Sequence, residues 1–385
     1  MKTTYNKSYL FLALSFVLLI ASVPAYADTI SAGEKHTCML KSNGKAYCWG
    51  ANTVGQLGDG STESSMTPVA VSGDLRFESI SVGWDHACGV TEDNDAYCWG
   101  RGRYGRLGND SSENSMVPVA VSGGMSFKSV DSGFAHTCGI TTDGDGFCWG
   151  RNEDGILGND SAKGSLLPVP VSGGHKFGSL HAGSATTCGI TTDGVAYCWG
   201  ASDFGNLLGL GPDDRAGKKV PGLVAGEFDF KPGSIGVGLD HICAVTTADK
   251  AVCWGRGRYG KLGIGPGDGL GVIENLMTPR EVNGNISFTQ ITTGLFQTCG
   301  ISTDGKAYCW GRNGSGQLGD GTTTMQVEPV AVSADIEFAE LTIGVDHTCG
   351  VSSDDDVYCW GNGDAGKLGT RSSENKLTPT KVTKK

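Results

Sequence analysis

The chain has 385 residues, of which 41 are Asp or Glu and 30 are Lys or Arg, and its formal charge at pH 7 is −11. This acidic balance argues against a sequence-independent nucleic-acid binder, which needs a basic footprint to displace counterions, and against an anionic membrane surface as partner. The 62 glycines recur at regular positions, which is typical of repeated turns and not of disorder.

The N-terminal residues have the pattern of a secretion signal. Lys2 and Lys7 form a basic start, residues 9–23 are mostly apolar, and Ala25-Tyr26-Ala27 has the small-x-small form of a cleavage site. Because the apolar run is short for a membrane span, we expect a signal peptide, residues 1–27, cleaved after Ala27; the alternative is an uncleaved anchor. The mature protein is then secreted or periplasmic and has no membrane attachment.

Residues 28–385 are predicted to form one domain of seven repeated units. Cys-Trp-Gly occurs seven times, and each copy has a second cysteine ten residues upstream. The pattern uses all fourteen cysteines: Cys38 and Cys48, Cys88 and Cys98, Cys138 and Cys148, Cys188 and Cys198, Cys243 and Cys253, Cys299 and Cys309, and Cys349 and Cys359. We place the units at residues 29–72, 73–122, 123–172, 173–225, 226–283, 284–333 and 334–383.

The second unit shows the strand order of one repeat. Residues 77–82 alternate between apolar and polar and predict strand a, while residues 86–91 and 96–99 predict strands b and c. A Gly-rich loop follows, and residues 118–121 predict strand d, whose leading proline is tolerated at the free edge of a sheet. Four short strands per unit, with no helical periodicity, predict an all-β fold: a seven-bladed β-propeller of four-stranded antiparallel blades.

The turn between strands b and c follows from the cysteine spacing. Cys38 and Cys48 are symmetric about Asn43, so the hairpin loop has three residues, and such loops end on a residue with positive φ. That position holds only residue types that accept positive φ: Gly44, Asn94, Gly144, Gly194, Asp249, Gly305 and Asp355. The two cysteines of each unit therefore face each other within reach of a disulfide. Zinc is the competing interpretation, but one such hairpin supplies only two ligands, so we expect one disulfide within each blade.

Two sequence runs carry a family resemblance. The first unit has Gly-x-x-His-Thr-Cys over residues 33–38 and Tyr-Cys-Trp-Gly-x-x-x-x-Gly-x-Leu-Gly over residues 47–58, and similar runs cover nearly all of residues 29–383. These units resemble the regulator-of-chromosome-condensation repeat family, which implies a seven-bladed propeller that presents a protein-binding face.

The resemblance also implies several possible functions. The family includes a nuclear nucleotide-exchange factor for a small GTPase, a plant ultraviolet receptor, ubiquitin-ligase domains and a secreted bacterial β-lactamase inhibitor. The paired cysteines depart from the family pattern and suit a secreted, bacterial-type member, similar in architecture to that inhibitor. Seven of the eight tryptophans belong to Cys-Trp-Gly, which leaves only Trp84 and argues against the receptor's cluster of extra tryptophans.

Positions that vary between the units are the candidates for function. The strand order places the a–b and c–d loops on one face of the propeller, and each a–b loop has two variable residues between its Gly and its His. Apolar and acidic side chains at these loop tips predict a binding surface, formed by Trp84, Asp85, Phe134, Leu239, Asp240, Leu295, Phe296, Val345 and Asp346. The alternative is that some of these side chains fold back and plug the central channel.

The c–d loops add a second set of candidates. Two of them carry Arg-Gly-Arg-Tyr-Gly and contribute Arg103, Tyr104, Arg258 and Tyr259, which are residue types common at binding hot spots; the alternative is that each tyrosine packs on the next blade. The extra residues of units four and five, around residues 207–233 and 264–276, are also expected mainly here. Their carboxylates could hold calcium, although the spacing matches no known calcium loop: Asp213, Asp214 and Asp268.

A ring of histidines follows the a–b loops, and it invites a metal or catalytic interpretation. The histidines are His36, His86, His136, His241 and His347, with Thr186 and Gln297 at the same position in the other two units. Replacement by Thr and Gln favours a structural hydrogen-bonding role. Since no Ser-His-Asp order, His-Glu-x-x-His motif or phosphate loop is present, we expect no cofactor, no metal and no catalytic residue.

The sequence therefore predicts a non-enzymatic, monomeric propeller that binds an extracellular or cell-envelope protein. The first alternative is a carbohydrate-active enzyme that uses carboxylates at the channel mouth, namely Glu34, Asp85, Asp240 and Asp346. The second is guanine-nucleotide exchange, implied only by the family resemblance.

Overall fold

The structure is a computed structural model that describes residues 28–202, 208–212, 216–266 and 275–383. The predicted signal peptide lies outside the described residues. The described residues form seven sheets, each of four consecutive antiparallel strands in sequence order. This arrangement confirms the seven-bladed, four-stranded propeller. Among the described residues no helix is long and apolar enough to cross a membrane.

The strands of the first four blades are short and follow one another in chain order. Their bounds are β1 (Thr29–Ala32), β2 (His36–Leu40), β3 (Ala46–Gly50), β4 (Ser65–Ala70), β5 (Phe77–Val82), β6 (His86–Thr91), β7 (Ala96–Gly100), β8 (Ser115–Ala120), β9 (Phe127–Ser132), β10 (His136–Thr141), β11 (Gly146–Gly150), β12 (Ser165–Pro170), β13 (Phe177–Ala182), β14 (Thr186–Thr191), β15 (Ala196–Gly200) and β16 (Lys218–Leu223).

Blades five to seven repeat the same order. Their bounds are β17 (Phe230–Val237), β18 (His241–Thr246), β19 (Ala251–Gly255), β20 (Leu276–Glu281), β21 (Phe288–Thr293), β22 (Gln297–Ser302), β23 (Ala307–Gly311), β24 (Gln326–Ala331), β25 (Phe338–Ile343), β26 (His347–Ser352), β27 (Val357–Gly361) and β28 (Lys376–Lys381). Three c–d loops contain a short 3-10 turn, at Arg103–Gly105, Arg258–Gly260 and Asp364–Gly366.

The ring closes without exchange of a strand between its ends. Blade one consists of β1 to β4 and blade seven of β25 to β28, so every blade is a continuous stretch of chain. The two blades pack through contacts of β1 with β25 and β26. The backbone N–H of Ala32 donates to Thr342 Oγ1 at 3.1 Å across this junction.

The b–c turns have the conformation that the cysteine spacing predicts. In blade one, Gly44 N donates to Lys41 O at 2.8 Å, which closes a three-residue loop over residues 42–44. The third loop residue has positive φ in all seven blades: Gly44, Asn94, Gly144, Gly194, Asp249, Gly305 and Asp355. Each pair of cysteines is directly opposed in register, as Cys38 is with Cys48. Their Cα atoms are 4.0–4.1 Å apart and their sulfurs lie at bonding distance, so each blade contains its predicted disulfide.

The apolar core lies between blades. In one cluster Trp99 of blade two packs with Leu57 and both cysteines of blade one, and its ring centroid lies 5.8 Å from that of Phe77. The tryptophan of every Cys-Trp-Gly is fully buried in the same way. Because the disulfide of one blade packs on the tryptophan of the next, the conserved Cys-Trp pair of the repeat stabilises both the blade and the junction.

A hydrogen-bond relay also joins each blade to the next. His86 Nε2 lies 2.9 Å from Thr137 Oγ1, and Thr137 donates its own proton to Arg106 O at 2.8 Å. The hydroxyl therefore accepts from a protonated Nε2. Trp149 Nε1 donates to the same carbonyl at 2.9 Å. The relay recurs at three further junctions, and the last of them closes the ring: His136 with Thr187, His241 with Thr298, and His347 with Thr37.

The motif histidines are therefore structural, and the side chains of four of the five bond to a threonine of the next blade. Burial lowers the pKa of His36 and His136 to about 3 and lowers the pKa of the other three well below the ordinary value. The imidazoles stay neutral at physiological pH, which suits a hydrogen-bond donor inside a junction.

Three junctions lack the relay, at His36, Thr186 and Gln297, and only the first of them has a histidine without a threonine. His36 meets Ala87 where four other blades supply a threonine to a histidine, and both ring nitrogens of His36 are buried without a partner among the described residues. We expect Ala87→Thr to supply the missing hydroxyl and to raise the free energy of unfolding by about 1 kcal/mol. Chemical denaturation measures this. Ala87→Val, which adds similar volume without the hydroxyl, is the control; equal stabilisation by Val would contradict the hydrogen-bond account.

The extra residues of blades four and five lie in two kinds of place: the c–d loops and one inner strand. Gly200 pairs with Lys218, eighteen positions on, and Gly255 with Leu276, twenty-one positions on, whereas Gly150 of blade three pairs with Ser165, fifteen positions on. These additions lie in the c–d loops, as predicted. Two further residues lie instead in a bulge of β17, where the register shifts between Phe230 and Ile235. That part of the insertion is on the inner strand and not on the predicted face.

Candidate functional site

The a–b and c–d loops share one face of the propeller, as the strand order predicts. In blade two the N–H of Arg101, at the start of the c–d loop, donates to Asp85 O of the a–b loop at 2.9 Å. Corresponding bonds join Arg151 to Ala135 and Arg312 to Phe296. We call this side, formed by the a–b loops and the c–d loops, the loop face.

The first variable residue of the a–b loop lines the mouth of the central channel in six of the seven blades. Trp84, Phe134, Leu295 and Val345 line the channel cavity and are half-buried, and Leu239 is also half-buried. The rings of Trp84 and Phe134 are in contact, with centroids 4.5 Å apart. These side chains thus combine the two alternatives of the sequence analysis, since they line the channel and still present part of their surface.

The second variable residue has a different role wherever it is an aspartate. Asp85 Oδ1 lies 2.5 Å from Arg106 Nη1, and Asp346 Oδ1 lies 2.5 Å from Lys367 Nζ. Asp240 pairs with the buried ammonium group of Lys261. Burial raises the pKa of Asp85, while Arg106 and Arg101 lower it. Each of the three carboxylates therefore has a structural role, because it is held in an ion pair within its own blade, while its contact with a partner stays a prediction.

The basic partners are residues that the sequence analysis missed. Arg106, Lys261 and Lys367 occupy the variable position of Gly-x-Leu-Gly, and their side chains are almost fully buried. Arg106 also donates to Phe134 O of the next blade at 2.9 Å. A comparison of the seven units could have found them: a base stands at this position only in the three units with an aspartate in the a–b loop.

The Arg-Gly-Arg-Tyr-Gly loops place aromatic and basic groups at the rim of the loop face. Tyr104 and Tyr259 have positive φ, and each ring has a guanidinium 4.6 Å from its centroid, from Arg103 and Arg258 respectively. Tyr259 also makes an edge contact with Phe296 of the next blade, with centroids 5.5 Å apart. Arg103, Tyr104 and Arg258 are exposed, whereas Tyr259 is half-buried against the next blade, as the alternative in the sequence analysis predicts.

A further arginine extends this rim. The guanidinium of Arg312 lies 5.4 Å from the ring of Phe296, and Arg312 is exposed. Stacked guanidinium groups are held in place and keep their charge, so they are ready to meet carboxylates. The loop face therefore has apolar side chains around the channel mouth and arginines outside them, although the whole chain is acidic.

The described residues contain no group of three His, Cys, Asp or Glu side chains placed to hold a metal ion. The calcium candidates Asp213, Asp214 and Asp268 lie outside the described residues.

These features define a class: a β-propeller of seven repeats, with one disulfide in each blade and a loop face whose residues differ from blade to blade. Two models of the regulator of chromosome condensation (RCC1) repeat match the chain, one over residues 43–90, 93–140, 304–351 and 354–385, the other over residues 28–56, 77–106, 127–156, 288–317 and 338–367. Together they cover more than half of the sequence. The chain belongs to the RCC1 repeat family.

Curated relatives match part of the chain. A stretch of 129 residues, 33% of the chain, is 33% identical to the ultraviolet-B receptor UVR8 of Arabidopsis thaliana and 33% identical to the human E3 ubiquitin-protein ligase HERC2. The match spans 27% of the receptor and 2% of the ligase. The seven scaffold tryptophans are fully buried here, which leaves Trp84 alone on the loop face.

Solved structures show the same fold over nearly the whole chain. Human WBSCR16 superposes with a TM-score of 0.77 at 18% identity, covering 88% of this chain and 94% of that one. Prp20p of Saccharomyces cerevisiae superposes with a TM-score of 0.77 at 20% identity, covering 92% of this chain and 86% of that one. At these identities the likeness concerns the fold.

Proposed function

We propose that this protein is an exported propeller whose loop face binds another protein. The observation that carries the proposal is the combination, on one face, of half-buried aromatic side chains at the channel mouth with exposed, ring-stacked arginines outside them. Aromatic residues and arginine are the residue types most enriched at binding hot spots. We infer a partner with an apolar projection that enters the channel mouth and with carboxylates that meet Arg103, Arg258 and Arg312.

Export is supported by the N-terminal signal pattern and by the seven disulfides, because disulfides persist in oxidising compartments. An inhibitor of a secreted enzyme is one function of this kind, and it agrees with the resemblance to the β-lactamase inhibitor. Mass spectrometry of the non-reduced protein from its native source tests export. We expect an N-terminus at Asp28 and seven intact Cys-x9-Cys pairs, whereas a chain that starts at Met1 with free thiols would contradict it.

The ion pairs of the loop face argue against the carbohydrate-active alternative. A glycosidase needs one carboxylate that is free to give a proton and a second that acts as base or nucleophile. Asp85, Asp240 and Asp346 are instead paired with Arg106, Lys261 and Lys367, and the fourth candidate, Glu34, lies 3.1 Å from Lys35 Nζ. Asp240→Asn should leave any turnover on a glycan panel unchanged.

The protein-binding proposal is tested by capture from the native extracellular or envelope fraction. The immobilised protein is compared with the variant Trp84→Ala, Phe134→Ala, Phe296→Ala. Since each hot-spot side chain contributes about 1–2 kcal/mol or more, we expect the affinity for the captured protein to fall at least about 100-fold. Surface plasmon resonance with the captured protein measures the change.

A matched control removes apolar surface elsewhere on the propeller. Leu167 and Leu223 are exposed on the outer strands of blades three and four, away from the channel mouth. Leu167→Ala with Leu223→Ala should bind as the original protein does. The proposal fails if the two variants bind equally well, provided that both melt within a few degrees of the original.

A further inference from the structure

The inner strands surround a cavity of about 360 Å³ at the end of the channel where the a–b loops lie. Its titratable lining residues are Glu34, Asp131, His181 and Glu340, and no Lys or Arg of the described part of the chain lines it. Asp131 belongs to blade three and Glu340 to blade seven, so they stand on opposite sides of the ring. Among the described residues the cavity therefore has carboxylates on two walls and no Lys or Arg between them.

Glu340 makes a structural hydrogen bond that does not need a charged acceptor. Its Oε2 accepts a hydrogen bond from Ile30 N of the neighbouring blade at 3.2 Å. Gln290, at the same position of blade six, accepts the equivalent bond from Leu341 N at 3.0 Å with an uncharged amide. The other five blades have a hydroxyl residue there: Thr29, Ser79, Ser129, Ser179 and Ser234. Within the described residues, Oε1 of Glu340 has no hydrogen-bond partner, so it is available to a ligand.

Asp131 makes a hydrogen bond of the same kind on the opposite wall. Its Oδ1 accepts from Ala182 N at 3.2 Å, a role that Ser31 and Ser81 fill with a neutral hydroxyl at the preceding junctions. Its Oδ2 lies 3.1 Å from His181 Nδ1. A carboxylate and an imidazole thus stand where the repeat needs only a hydroxyl group. The departures from the repeat converge on this one cavity.

We propose that the cavity binds one organic cation, a guanidinium or primary ammonium group, held by the carboxylate of Glu340, with Asp131 on the opposite wall and the Trp84–Phe134 pair at the mouth. An ammonium or guanidinium group donates several hydrogen bonds, which suits Oε1 of Glu340. The faces of Trp84 and Phe134 attract a cation through their π-systems. The volume fits a small ligand or the end of a side chain.

The surroundings of Glu340 favour this ligand. Burial raises the pKa of its carboxyl from 4.5 to about 7. The strands packed against β25 are β1, β21, β22 and β26, and their one titratable group is His347, which stays neutral. The native state thus holds the Glu340 proton more tightly than the unfolded chain does, so stability falls as pH rises from 4.5 towards 7 and stays low above it. A bound cation restores that stability at pH 8.

Calorimetric titration of the purified protein with n-butylguanidinium and n-butylammonium at pH 8 tests the proposal. We expect saturable binding of at least one cation, no binding of n-butanol, and affinity at least tenfold weaker in Glu340→Gln. This variant copies Gln290 and keeps the bond to Ile30. It should melt above the original protein at pH 8 and at about the same temperature at pH 5, which shows that it is folded.

The cation can be a free molecule or a Lys or Arg side chain of the bound protein, and only the second source rests on the proposed function. Displacement of the captured protein by n-butylguanidinium identifies a side chain, and saturable binding without displacement identifies a free molecule. Absence of saturable binding, or equal binding by Glu340→Gln, overturns the proposal. Capture that depends on Trp84, Phe134 and Phe296, together with no saturable binding of either cation, would leave the proposed function intact and remove this inference alone.

Discussion

Lys261→Met should lower the free energy of unfolding by about 3 kcal/mol or more, because it leaves the buried carboxylate of Asp240 without its closest counter-charge. The Lys261 side chain is almost fully buried and pairs with Asp240, whose other cationic neighbour, Arg256, is 3.7 Å away and one-third exposed. Methionine fills the volume of the lysine stem, so the loss is electrostatic. Urea denaturation of the two proteins measures it.

The control comes from the third blade, which has Ala135 and Ile156 at the positions of Asp240 and Lys261. The double variant Asp240→Ala, Lys261→Ile copies this apolar pair. Since replacement of a buried ion pair by apolar residues is often neutral or stabilising, we expect its stability within about 1 kcal/mol of the original. A double variant as unstable as Lys261→Met would show that the lysine acts through something other than Asp240.

Removal of one disulfide is the second large effect. Cys138→Ala with Cys148→Ala opens a loop of about eleven residues, for which the chain-entropy model gives about 2.8 kcal/mol of lost stability, to which the loss of packing adds. Both sulfurs are fully buried beneath the tryptophan of the next blade. Denaturation under non-reducing conditions measures the change.

A second variant in the same hairpin measures how much of that lost stability comes from packing. Ile140→Val removes one buried methylene next to the disulfide and should cost about 1 kcal/mol. If the double cysteine variant loses no more than Ile140→Val, the cross-link contributes nothing and its stabilising role is contradicted. In the absence of denaturant, the burial of all fourteen cysteines should also make the disulfides of the native protein slow to react with dithiothreitol.

The parts of the fold that depend on local geometry could be predicted from sequence. The three-residue b–c loops, their positive-φ residues and the opposed cysteines all follow from the spacing between Cys38 and Cys48 and its repetition. The relay from His86 through Thr137 to the carbonyl of Arg106 could not be predicted in this way, because it joins residues of two blades whose relative placement is set by packing.

The residues of the candidate site also fall into those that could be predicted from local sequence and those that could not. The aromatic residues Trp84, Phe134 and Phe296 could be assigned to the loop face, because strand order alone decides which loops share a side. The aspartates Asp85, Asp240 and Asp346 have the same loop position but a different role, since a base from the c–d loop reaches each of them. Glu340 was not a candidate, because an inner-strand residue is recognised as unusual only when its neighbours in the ring are known.

We propose that the repeated strands form a scaffold and that the loop face binds a protein. Hydrogen–deuterium exchange of the propeller, with and without the captured protein, tests it most directly. We expect slower exchange in the a–b loops around Trp84, Phe134 and Phe296 and in the c–d loops around Tyr104 and Tyr259, with the b–c turns unchanged. Protection confined to the b–c turns or to the outer strands would contradict the account.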